Sequence, residues 1–190
     1  MSDRIRREKN VYYFDFLFGA ADEDGGFMTF PSMPQNIKAN NAIISVDKFM
    51  VSNLSTAVAP IVSNANYKRN FIVNLQTNIP CSNYFSSLLT SNGMLNPRTV
   101  GFGETIPLET YHTSIDAVTG EDAVGIMKYE NNNPSRHILC ANPFGNTYNI
   151  SFFNVQGQNA NEDFRNLGLY LKNKILTLKV ELIEEEIIKN

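Results

Sequence analysis

The chain has 190 residues, 43% of them hydrophobic and only 18% charged, with a formal net charge of -3 and a pI near 5.4. A chain of this length suits one domain that buries about 70% of its unfolded surface, so folding requires neither a metal nor a disulfide. The weakly acidic balance disfavours nucleic acid as a general partner. Low charge beside ample apolar content predicts that neighbouring molecules cover part of the surface.

Residues 1–10 carry Arg4, Arg6, Arg7 and Lys9 against Asp3 and Glu8. This excess is far short of the long basic arms that neutralise packaged genomes, so no strong nucleic-acid binding is expected. The segment reads as an N-terminal arm, solvated or bound to a neighbouring subunit, ahead of a single domain over residues 11–190. No signal peptide is expected. The first apolar run, residues 11–18, contains Asp15 and is followed by Asp22, Glu23 and Asp24. No run reaches the roughly 20 apolar residues of a transmembrane helix.

Period-two patterning then recurs along the chain. In residues 11–18, Tyr12, Phe14, Phe16 and Phe18 form one aromatic face. Gly25 and Gly26 lead into a short strand over residues 27–30, which Pro31 and Pro34 terminate. Residues 42–51 predict a strand with Ile44, Val46 and Lys48 on one face and Ile43, Ser45, Asp47 and Phe49 on the other. Residues 70–77 place Phe71, Val73 and Leu75 together. Residues 81–95 admit either a loop or one helical turn, given the spacing of Tyr84, Phe85, Leu88 and Leu89.

Further strands are predicted over residues 104–111, 123–130, 136–140 and 147–153, with a turn at residues 142–146. Residues 175–184 close the series with Leu176, Leu178, Val180 and Leu182 on one face. Glu184, Glu185 and Glu186 read as a solubilising tail that blocks edge pairing. The chain holds 25 Asn, which suit turns between strands. No stretch of twelve or more residues has a full helical stripe; residues 161–171 come nearest, and Gly168 interrupts them. Strands without crossover helices must pair antiparallel. Long connections near residues 52–69, 78–103 and 154–174 favour Greek-key links between two sheets. The expected fold is all-β: a two-sheet antiparallel jelly-roll sandwich of about eight principal strands.

Chemistry-bearing patterns are few. His112 and His137 lack Cys, His or carboxylate partners at metal-ligand spacing. The acidic segment at residues 22–26 lacks the ligand positions of a calcium loop and reads as an acidic turn. Gly101 and Gly103 precede no helix, so they do not form a phosphate loop. Cys81 and Cys140 read as two small buried thiols rather than a disulfide. Asn53 and Asn149 match the glycosylation acceptor pattern by chance, and Asn149 falls in a predicted strand. No catalytic, metal or cofactor residues are assigned, and no enzyme is expected. A cupin-type enzyme would need a cluster of metal-binding histidines, and the two here are distant from each other. Most Phe and Tyr sit beside Ile, Leu and Val at strand positions, which points to core packing between sheets.

The patterns over residues 43–51, 71–80, 138–153 and 175–184 resemble single jelly-roll capsid proteins of icosahedral viruses. The resemblance is closest to penton or minor capsid proteins of double-stranded DNA viruses. It implies two four-stranded sheets and a structural subunit that self-assembles, as a pentamer at the vertices, with other capsid proteins around it. It further implies synthesis in the cytoplasm and residence in the virion, with the N-terminal arm reaching a neighbouring subunit. The alternative is a viral receptor- or carbohydrate-binding jelly roll, with Tyr67, Tyr84 or Tyr111 stacking on a sugar ring.

Overall fold

The computed structural model describes residues 4–19, 25–35, 37–52, 71–81, 101–115, 122–132, 138–153 and 173–188. These residues form nine strands. In chain order they are β1 (Arg4–Phe18), β2 (Gly25–Thr29), β3 (Asn41–Ser52), β4 (Phe71–Thr77) and β5 (Gly103–Ile115), then β6 (Asp122–Glu130), β7 (Ile138–Ala141), β8 (Thr147–Phe153) and β9 (Asn173–Ile188). No helix occurs among the described residues. The predicted turn or helix at residues 81–95 and the segment at 161–171 lie outside them, apart from Cys81.

Every strand pairing is antiparallel, in the order β1-β9-β3-β6-β5-β4-β8-β2, with β7 on β3. β1, β9, β3 and β6 make one sheet; β5, β4, β8 and β2 make the other. β5 joins them, because its residues up to Leu108 pair with β4 and those from Glu109 pair with β6. Register shifts between Thr110 and Thr113 mark where the strand turns out of one sheet into the other. β1, β2, β3 and β4 fall alternately in the two sheets, as do β6, β8 and β9. That wrapping is a jelly roll. The observed fold is the expected all-β antiparallel sandwich, its strand order nearly closed on itself.

The core lies between the sheets. β9 contributes Leu176, Leu178, Val180 and Leu182, and β3 contributes Ala42, Ile44, Val46, Phe49 and Val51. Facing them are Val73 and Leu75 from β4, Ile106 and Leu108 from β5, and Ile150 and Phe152 from β8. Aromatic rings close the seam between β1 and β2, the two ends of the strand order. Phe14 and Phe16 each meet Phe30 edge to face at 5.2 Å. Tyr12 and Phe14 meet Phe144 in the same way. The predicted aromatic face of residues 12–18 is therefore the inward face.

The alternation predicted for β3 changes phase within the strand. The register against β9 passes from Val46 opposite Leu178 to Lys48 opposite Thr177, so Asp47 is an extra residue. This bulge turns Phe49 inward and leaves Lys48 half-buried on the other face, reversing the expected placement of that pair. The other edge of β3 has a matching gap, since β7 pairs with it up to Ile44 and β6 only from Lys48. Two groups from elsewhere fill that gap. The Val46 N–H donates to Glu104 Oε2 at 3.2 Å, and the Asn131 N–H donates to the Asp47 carbonyl at 2.8 Å. Glu104 is thereby buried, 8% exposed, for a structural reason.

The N-terminal boundary differs from expectation as well. Residues 4–10 belong to β1 and pair with β9, with Arg6 opposite Glu186, Arg7 opposite Glu185 and Glu8 opposite Glu184. The glutamates expected to end pairing instead continue it. β3 reaches only as far as Ile183 along β9, so residues 4–8 and 184–188 form a two-stranded ribbon beyond β3.

Gly101 and Gly145 have local reasons. A Cβ at Gly101 would lie 2.0 Å from the Thr77 carbonyl oxygen. The close approach lets Thr77 N–H bond the Phe102 carbonyl and Phe102 N–H bond the Ile79 carbonyl, each at 2.8 Å. Gly145, with φ of 75°, completes the predicted turn at residues 142–146. There Asn142 Oδ1 accepts the Phe144 N–H and Asn142 Nδ2 donates to the Ala39 carbonyl.

Candidate assembly surface

Because β1 turns its aromatic face inward, its alternate residues Val11, Tyr13, Asp15 and Leu17 face outward. Tyr13 is 59% exposed and Leu17 is 76% exposed. Phe27 on β2, at the other end of the strand order, is 74% exposed. Large apolar side chains on both terminal strands are a feature that isolated globular domains keep small.

Strand register extends this pattern across the sheet. Leu17 stands opposite Ile175, which stands opposite Met50. Toward the other end, Val11 stands opposite Glu181, Glu181 opposite Ile43, and Ile43 opposite Leu139. One row, Leu17 to Met50, is wholly apolar; the other, Val11 to Leu139, is interrupted by Glu181, and a polar band lies between them. Within the band, the Thr177 hydroxyl donates to Asp15 Oδ1 at 2.6 Å. Lys179 Nζ pairs with Glu181 Oε1 at 2.7 Å. The hydrogen bond to Glu181 holds the Lys179 ammonium protonated above its ordinary range, against a smaller opposing effect of burial. An apolar field with a fixed charge pair in it suits contact with another protein surface better than contact with a small molecule.

A cleft of about 650 Å³ adjoins the Leu139 end of this face, lined by Met33, Ile37, Lys38, Asn41, Leu139 and Ile183 among others. Among its described lining residues, Lys38 is the one ionisable side chain and none is aromatic. The Lys38 backbone N–H donates to Glu184 Oε1 at 3.0 Å.

His112 lies in the irregular stretch of β5 opposite Ile126, while His137 lies outside the described residues. Tyr111 is also in β5; Tyr67, Tyr84 and Asn53 lie outside the described residues, as do residues 22–24. Asn149 lies in β8, as its pattern predicted, and its backbone N–H donates to Asn78 Oδ1 at 2.8 Å. Cys81 and Cys140, 59 residues apart in sequence, meet across an isolated antiparallel bridge. Among the described residues, no group of three or more His, Cys, Asp or Glu gathers at metal-binding distance. No described helix is long and apolar enough to cross a membrane. Alternation in the sequence separates the two faces of β1, but the continuation of its outer face over β9, β3 and β7 follows only from the register. The chain matches no protein-family model, no curated protein and no solved structure.

Proposed function

We propose that the chain is a structural subunit that self-assembles, and that its setting is the shell of an icosahedral virus, as a ring-forming vertex protein. The observation that carries this reading is the exposed apolar face of a rigid jelly-roll block. Val11, Tyr13 and Leu17 lie at one terminal strand and Phe27 lies at the other. A ring needs head-to-tail contacts in which one patch meets a different patch on the next copy. Outward apolar residues at both ends of the strand order supply two such patches. Each contact should bury more than about 1,000 Å² to hold the ring together. The two-stranded ribbon of residues 4–8 and 184–188, rather than a detached arm, is the element we assign to the adjoining shell protein.

The test is the pair Tyr13→Lys and Leu17→Lys in one chain. Both side chains are largely solvent-exposed, so subunit stability should change by no more than about 0.5 kcal/mol. Assembly, read by light scattering, should be lost. Retention of full-size assemblies by a correctly folded double variant would remove β1 from the interface.

A further inference from the structure

We propose that Cys81 and Cys140 form a redox pair that closes into a disulfide when a low-molecular-weight disulfide serves as oxidant. The two residues face each other in an antiparallel bridge, and the Ala141 N–H donates to the Pro80 carbonyl at 2.8 Å. A bond from the residue after one partner to the residue before the other marks a non-hydrogen-bonded pair. Opposed Cα atoms at such sites are about 4.5 Å apart, with both side chains on one face of the ladder. Disulfides span Cα separations of about 4.4–6.8 Å, so closure requires little movement of the backbone.

Both flanks are held in place. Ile79 is fully buried, its N–H bonds the Thr77 hydroxyl at 3.2 Å, and its carbonyl accepts from Phe102. Cys140 sits in β7, itself paired to β3 with Cys140 opposite Ala42. No disulfide joins the two sulfurs in this structure. The bond would link the segment leaving β4, in one sheet, to β7, which is attached to the other. It is a covalent lock between layers.

Their unequal exposure sets the order of events. Cys81 is half-buried, whereas Cys140 is 2% exposed and its thiol lies 3.5 Å from the Ile138 carbonyl. Burial first, and the nearby Cys81 second, push the Cys140 thiol up to about 12. The Cys81 thiolate therefore attacks the small disulfide, forming a mixed disulfide and expelling one small thiolate. Cys140 then gives up its proton, which the expelled small thiolate takes up, and attacks the Cys81 sulfur. The Cys81–Cys140 bond forms, the mixed bond breaks, and a second small thiolate leaves. Two electrons pass from the protein thiols to the oxidant. Once Cys81 is in the mixed disulfide it no longer carries the charge that opposes ionisation of Cys140.

The test treats the folded full chain with oxidised glutathione and reads intact mass after denaturing acid quench. Wild type should become lighter by two hydrogens with no adduct, run as a monomer on a non-reducing gel, and revert with dithiothreitol. Its melting temperature should rise by roughly 10 °C on closure. Cys140→Ala should stop with one glutathione attached, and Cys81→Ala should remain unmodified. Wild type that stops at a glutathione adduct, cross-links between chains, or keeps both thiols would overturn the proposal.

Discussion

Phe152→Ala should be among the most destabilising single substitutions in this chain, with a loss above the about 3–5 kcal/mol usual for emptying a phenylalanine site. Phe152 lies on β8 but packs against rings from the opposite sheet. Phe18 meets it edge to face at 5.4 Å, and Phe49 stacks on it at 5.5 Å. Lys174, only 2% exposed, places its ammonium 5.7 Å from the centre of the same ring. Removing the ring opens a cavity and also strips a buried cation of its aromatic partner, an added cost of about 1–2 kcal/mol. Denaturant titration should show the midpoint falling with little change in slope. Phe152→Leu should cost less.

The second large effect is expected at Glu104. Glu104→Ala removes the acceptor for the Val46 N–H at a place where no strand among the described residues pairs with that edge of β3. A buried donor left without its acceptor costs about 1–3 kcal/mol. We expect a total of about 3 kcal/mol by chemical denaturation. Glu104→Gln preserves size and an acceptor oxygen, so it should cost less than half as much. Equal losses for the two variants would show that the carboxylate's hydrogen bond to the bulge is unimportant. Backbone amide exchange gives a second readout: Val46 should lose protection in Glu104→Ala ahead of Ile44.

Much of this fold was written in the alternation of side chains. Leu176, Leu178, Val180 and Leu182 share a face in sequence and are all buried in the structure. The aromatic series from Tyr12 to Phe18 likewise marked the inward face of β1. What the pattern could not carry was any event that changes its phase. The extra residue at Asp47 moves Phe49 to the core, and a strict period of two places it on the wrong side. Charged stretches were equally opaque. Residues 4–10 and 184–186 have no apolar alternation, so nothing local announced that β1 and β9 pair along them. Glu104 reads as an ordinary strand residue until the gap in the β3 edge explains its burial.

The surface was legible only in part, for a related reason. Val11, Tyr13 and Leu17 can be recognised as the alternate face of one strand. Their alignment with Ile175, Met50, Ile43 and Leu139 depends on which strands are neighbours. Cys81 and Cys140 show the same dependence. With no secretory signal expected, they read as two buried thiols rather than a disulfide, and the bridge that brings them together is a property of the tertiary fold.

The central claim, that this jelly roll is built to join copies of itself, is tested most directly by the native mass of the purified full chain across a concentration series. A ring with a mass close to five times the 21.4 kDa of the chain is expected, gaining population as concentration rises. A trimer would contradict the vertex role and favour a receptor-binding head. A single 21.4 kDa species at every concentration up to the millimolar range would contradict self-assembly itself.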